Sequence, residues 1–356
     1  MFGLFRLIAA LFVLMGHIGG VPFVAGAAVW GFFMLSGLLM AGALNSRYGL
    51  DNNGVLSFLG SRAVRLFPMY WLSLLLSALL LCTAQDPERA LLVNSALKFP
   101  DTVGEWAANL LILGQTTFGI GRTDASLSPS SWAVDIEILM YLCSCLFLAR
   151  SPRLAVVALL LLCMTFPVLW WFARGIVKAG DLSLASQLLY SFLPAALLPY
   201  SIGTVMWFKR DRLKLMTPGW LVTGLVGTLA CTIFVYPRAV TLAYILVLPC
   251  LVAIIGALMF WPRSAKLGII DTFFGHMSYP LYLLHWACAY VLVLVLPADW
   301  GWIVIEENRY AYNQEAFMSV MALALIVSGL AAWLIERPLE KKRHAWLKRT
   351  IRIRED

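Results

Sequence analysis

Charge is scarce in this chain. Asp, Glu, Lys and Arg together make up 13% of its 356 residues, about half the share of an ordinary soluble domain. The apolar fraction is 61% and the mean hydropathy is +0.83. This balance excludes a soluble globular domain and leaves a polytopic membrane protein, in which the bilayer is the solvent. Organised cysteine is missing as well. Cys82, Cys143, Cys145, Cys163, Cys231, Cys250 and Cys288 are scattered through apolar runs, with no metal-ligand spacing and no framework for pairing. They read as packing residues. The sequence also lacks a glycine-rich phosphate loop, a metal-ligand cluster and an internal repeat, so no metal is expected.

What is present is a series of apolar runs, each near the length of about 20 residues that crosses a bilayer as helix. They fall at 4–21, 27–44, 66–84, 132–149, 154–173, 184–208, 219–236, 240–261, 277–297 and 317–335. The expected fold is all-α: a polytopic bundle of about ten transmembrane helices. Pro194 and Pro199 should kink or break the sixth, and the run at 105–114 is too short to span and reads as re-entrant or interfacial. With the N-terminus inside and strict alternation, 20 of the 27 Lys and Arg residues fall on one side. Both termini are therefore expected in the cytoplasm. The division is a transmembrane domain over 1–338 and a basic cytoplasmic tail over 339–356. That tail reads as a segment lying on anionic lipid rather than a nucleic-acid site. The start resembles a signal peptide, but a second full-length span follows and His17 interrupts the apolar run, so no cleavage is expected.

Ionisable side chains within spans are costly and are by default functional candidates. In the first span Arg6 and His17 are eleven residues apart, about 16 Å along a helix and close to three turns, so they share a face. That separation matches the reach of a pantetheine arm. An arginine at the mouth suits a phosphate and an imidazole at depth suits a general base. The plain alternative is a topology-setting arginine and a core histidine bonded to a neighbouring helix. Arg62 and Arg65, one helical turn apart, point the same way at the inner mouth and suit phosphates, or simply set topology. Pro68 fits a helix's first turn or a kink. In the second span Gly31, Ser36 and Gly37 read as a small-residue packing strip rather than a Ser–His nucleophile site. Glu137 in the fourth span needs a partner, and His17 is the expected one; Asp135 lies nearer the surface. His285 reads as a helix–helix hydrogen bond in preference to a catalytic group. Trp106, Trp300, Trp302 and Tyr310, with Glu306, Glu307 and Glu315, read as interface residues of the outer loops in preference to a sugar platform.

Six segments then occur in a telling order: Arg6 and His17 eleven apart, "GFFMLSG", "RAVRLFPMYW", "SWAVDIEILMY", "MSYPLYLLHW" and "ERP" at 336–338. The set resembles the acyltransferase-3 family of integral membrane proteins. The resemblance implies about ten helices, an acyl-CoA donor (usually acetyl-CoA) approached from the cytoplasm, and commonly a cell-surface glycan as acceptor. It implies His17 as the catalytic histidine, with Arg6, Arg62, Arg65 and Glu336 as further required charges. Trp132, Glu137 and Tyr141 match the pattern, while Ala133 stands where the family often has Ser or Thr. Tyr279 and His285 join as candidate site residues. The chain ends 18 residues after the last motif, so a standalone member without the soluble hydrolase-like domain of some relatives is expected.

The resulting expectation is an O-acetyltransferase of the bacterial inner membrane. Acetyl-CoA would be held by Arg6, Arg62 and Arg65. His17, oriented by Glu137, would deprotonate a hydroxyl of a polysaccharide or lipid-linked sugar, or carry the acyl group itself. The rival readings are a transporter or flippase without acyl chemistry, and an enzyme acylating a small molecule.

Overall fold

The computed structural model describes residues 1–84, 86–262, 264–295, 303–306, 309–312 and 314–350, and for 303–312 and 348–350 the backbone alone. In a bilayer every backbone N–H and C=O must be satisfied within the protein, so apolar runs become helices. The described chain is an all-α bundle of ten such helices. They are α1 (Phe2–Ile18), α2 (Pro22–Tyr48), α3 (Asn52–Thr83), α4 (Pro129–Leu148), α5 (Pro152–Lys178), α6 (Leu182–Phe208), α7 (Pro218–Val235), α8 (Val240–Met259), α9 (Ala265–Val295) and α10 (Gln314–Leu347). Nine are long and apolar enough to cross a membrane, and α1 is a shorter apolar helix.

Each expected run is recovered, but several helices outrun their apolar stretch. α3 starts fourteen residues before the run at 66–84. Pro68 therefore lies in its interior rather than its first turn, and Arg62 and Arg65 already sit on formed helix. The sixth span is broken: one helix ends at Tyr190 and the next starts at Leu193, with Pro194 in its first turn. The run at 105–114 forms the nine-residue helix Val103–Leu111. Its start is a capping box in which Thr102 and Glu105 satisfy each other's backbone N–H groups. This is too short to cross.

α2 and α9 run through the middle of the bundle and are mostly buried, while α5 and α7 turn Leu160, Leu161, Trp171, Leu225 and Phe234 outward. Small residues set the central contacts. A Cβ on Gly37 would meet the Tyr200 carbonyl oxygen at 2.0 Å, and one on Gly203 would meet the Met34 oxygen at 1.8 Å. α2 and α6 thus pack backbone to backbone, as lipid-embedded helices do where side chains are small. α1 lies against α9, where the Asp271 carboxylate accepts from the Leu4 N–H at 2.9 Å and satisfies an orphan donor of the first turn. The ends of α2 and α10 that meet through Arg47 and His344 mark one end of the bundle, called here the basic end.

Two short antiparallel hairpins interrupt the helices. One pairs β1 (Thr116–Thr117) with β2 (Ile120–Arg122), and the other pairs β3 (Ile303–Glu306) with β4 (Arg309–Tyr312). Trp300, Trp302 and Glu307 lie outside the described residues, and the side chains of Glu306 and Tyr310 do as well.

Candidate active site

Two cavities lie end to end inside the bundle. The one nearer the basic end, called inner here, is about 220 Å³ and is lined by Arg6, Arg62 and Arg65. α1 supplies the first, and the exposed start of α3 supplies the other two, one turn apart. Glu137 of α4 lines the same cavity. Its Oε1 accepts from Ser36 Oγ at 2.9 Å and from Tyr141 Oη at 2.6 Å. Tyr279 lines it from α9 and donates to the Leu66 carbonyl at 3.0 Å, tying α9 to α3. Glu336 is buried where α10 widens into a π turn over Ala332–Glu336, close enough to Arg65 and Arg6 to feel their charge.

The outer cavity, about 320 Å³, holds His17 and Arg122 among Trp132, Phe166, Tyr190 and Tyr244. Val29 and Tyr282 line both cavities, so they form the partition between them. The Tyr282 hydroxyl is held there by donation to the Ser130 carbonyl at 2.8 Å.

The protons of the two central histidines follow from their partners. His285 Nδ1 lies 2.9 Å from the Tyr282 carbonyl oxygen, which can only accept. Nδ1 therefore carries the hydrogen, and Nε2 of the neutral ring is an acceptor. That Nε2 lies 2.9 Å from His17 Nδ1, which must then be the donor. His17 is left with an unprotonated Nε2, and among the described residues nothing bonds to it. The ring is also held by stacking, with centroids 5.0 Å from Trp286 and 5.1 Å from His285. A neutral imidazole with its second nitrogen fixed by a hydrogen bond is an oriented base.

Arg122 reaches this cavity because its hairpin is clamped on both sides. Asp135 of α4 accepts from both the N–H and the Oγ1 of Thr116 at 3.0 Å. The break in α6 receives the turn: Leu193 N–H donates to the Phe118 carbonyl at 2.7 Å, and Ser191 Oγ donates to that of Gly119 at 2.6 Å. The Arg122 guanidinium then stands 4.5 Å over the Trp132 ring.

A model of the family described as an acyltransferase domain matches residues 2–337. The chain belongs to the acyltransferase-3 family. No curated protein and no solved structure matches it. It is a multi-pass membrane acyltransferase, and such an enzyme needs a place for an acyl donor and another for an acceptor. Among the described residues no group of His, Cys, Asp or Glu is arranged to hold a metal.

The acyltransferase brings Arg6, Arg62, Arg65, Glu137, Tyr141 and Tyr279 to the inner cavity, with Glu336 beside it, and His17 and Trp132 to the outer one. His285 is the link that orients His17. One expected pairing does not form: Glu137 bonds to Ser36 and Tyr141, not to His17. The reason is depth. His17 occupies the last turn of α1, whereas Glu137 stands eight residues into α4, about 12 Å from its outer end. Ser36, read from the sequence as packing, is thus a hydrogen-bond donor to a half-buried carboxylate. Arg122 was not anticipated, although the sequence held a signal: it is one of the few basic residues on the side where such residues are rare.

Proposed function

We propose that the protein moves an acyl group, most simply acetyl, from cytoplasmic acyl-CoA to a hydroxyl in the outer cavity. The observation that carries this is the pair of cavities sharing one partition, with guanidiniums in one and an oriented imidazole in the other. Arg6, Arg62 and Arg65 would hold phosphates, for which the forked guanidinium is suited. The pantetheine arm would run past Glu137 toward Val29 and Tyr282. There His17 Nε2 takes the acceptor's hydroxyl proton as its oxygen bonds to the thioester carbonyl carbon. The C–S bond breaks, and the proton passes from Nε2 to the departing thiolate. His285 and the Tyr282 carbonyl keep the free nitrogen in place throughout, making them positioning groups. Glu137 offsets the charge of the arginines it shares a cavity with.

The aromatic lining of the outer cavity supports a sugar as acceptor, because such faces stack on pyranose rings. A polysaccharide or lipid-linked sugar at the outer face of a bacterial inner membrane is the matching class. Mass spectrometry of surface glycans from cells with and without the protein tests this. Loss of O-acetyl groups from a glycan on deletion is expected. Unchanged glycans together with turnover of a small hydroxylated compound would move the acceptor to that class.

A further inference from the structure

The C-terminal turns of α10 do not trail away from the bundle. They pack against α3, and Arg343 is only 6% exposed. At their centre is the carboxylate of Glu340. Arg343 Nη2 donates to its Oε1, and Arg65 Nη1 lies 3.8 Å from Oε2. His344 Nε2 is 3.0 Å from Oε1, while its Nδ1 lies 3.0 Å from Arg47 Nη2. Arginine can only donate, so this ring carries its hydrogen on Nε2 and donates it to Glu340. Buried Ser61 accepts from Arg343 Nη1 at 3.1 Å and from Arg62 at 3.5 Å. One carboxylate is therefore gripped from three sides.

The grip is incomplete as well as overcharged. Among the described residues the buried Nε–H groups of Arg62 and Arg343 have no hydrogen-bond partner, an arrangement that costs free energy and is uncommon in native proteins. The guanidiniums of Arg47, Arg62, Arg65 and Arg343 outnumber the carboxylates of Glu340 and nearby Glu336. Arg62 and Arg65 also line the inner cavity, so the cluster continues that cavity outward at the basic end.

We propose that this end of α10 is the phosphate-binding wall of the donor site, in which Glu340 occupies the place of a phosphate group and Arg343 supplies a further guanidinium. A phosphate has more oxygens than a carboxylate and more charge, so it can engage the idle Nε–H groups that Glu340 leaves unbonded. When the phosphorylated nucleotide of the donor enters, Arg65 and Arg343 exchange Glu340 for it. The assignment of that phosphate to acyl-CoA rests on the function proposed above; the anion site does not.

The test is equilibrium binding to the full-length protein in detergent, with inorganic pyrophosphate and coenzyme A as separate probes. Arg343→Gln should weaken both about tenfold, the scale of one charge-assisted hydrogen bond, and Arg343→Lys should recover part of that loss. Glu340→Gln should tighten both by about tenfold, because the competing carboxylate charge is gone. The opposite signs separate the proposal from a structural role. Were Glu340 only a brace, Glu340→Gln would lower the melting temperature and weaken binding, and the proposal would fall. Coenzyme A binding that ignores both variants also overturns it, leaving the donor reading intact. Pyrophosphate following the predicted signs while coenzyme A fails to bind upholds the anion site and removes acyl-CoA as donor. A response confined to phosphatidylglycerol added to the micelles would make this a lipid headgroup site and overturn the nucleotide assignment.

Discussion

Among the described residues His17 has one nitrogen engaged and the other without a hydrogen-bond partner, and that asymmetry is what a base needs. His17→Ala removes the free nitrogen and should lower acyl transfer by roughly 10²–10⁴-fold, the usual contribution of general-base assistance. Insertion should be unaffected, since the helix then carries one fewer polar group. His285→Leu tests the orienting step. It leaves His17 Nδ1 without its acceptor and should reduce turnover by roughly ten- to a hundredfold, the worth of a hydrogen bond to a group that becomes charged. Both variants should bind coenzyme A as the parent does. Near-normal transfer by His17→Ala would remove the imidazole from the chemistry. Incubation with radiolabelled acetyl-CoA without acceptor separates the remaining roles: a base leaves the protein unlabelled, whereas label on His17 would make it an acyl carrier. That Arg6, His17 and Glu137 stand out was legible from their cost in lipid, and the structure places each on a cavity wall. Which residues meet was not legible. Glu137 and His17 are both polar in the outer halves of their spans, but their pairing depends on helix rotation and on depth to within a turn, and neither is written into an apolar run.

At the scale of elements, the β1–β2 hairpin shows why position is harder to read than existence. Its sequence, "TTFGIGR", carries turn residues, but nothing local says that it docks into the break of α6. Gly119 is the point of closest approach. Its φ is +95°, and a Cβ there would lie 1.9 Å from the Ser191 carbonyl oxygen. Gly119→Ala therefore combines a left-handed backbone, about 1–3 kcal/mol for a residue with a side chain, with a collision against rigid backbone. The hairpin should lift and take Arg122 off Trp132. If Arg122 serves the acceptor, glycan O-acylation in cells should fall for both Gly119→Ala and Arg122→Ala. Coenzyme A binding by the purified variants should stay unchanged, since the cavity proposed for the donor is on the other side of Tyr282. Loss of coenzyme A binding in either variant would place the hairpin's role on the donor side. The transmembrane helices were easier, because length and hydropathy are local properties. Their ends were not: α3 and α10 continue as helix well past their apolar cores, held by packing at the basic end that hydropathy does not register.

The whole molecule is polarised. Ten alternating helices return the chain to the end where it began, and that end carries Arg47, Arg62, Arg65 and the basic turns of α10. Lys and Arg flanking spans are retained on the cytoplasmic side, and 20 of 27 fall there when the N-terminus is placed inside. The same polarity suits the proposed chemistry, in which a CoA thioester is used on the cytoplasmic side and a glycan is acylated on the other. Orientation is therefore a condition for the mechanism and not an independent detail. A reporter active only in the periplasm, fused after residue 356, should be silent, and one active only in the cytoplasm should be bright. Fusions truncated in the loop between α9 and α10 should give the reverse pattern. A bright periplasmic reporter at the C-terminus would put the arginine cluster outside, where no acyl-CoA reaches it, and the donor would have to be sought elsewhere.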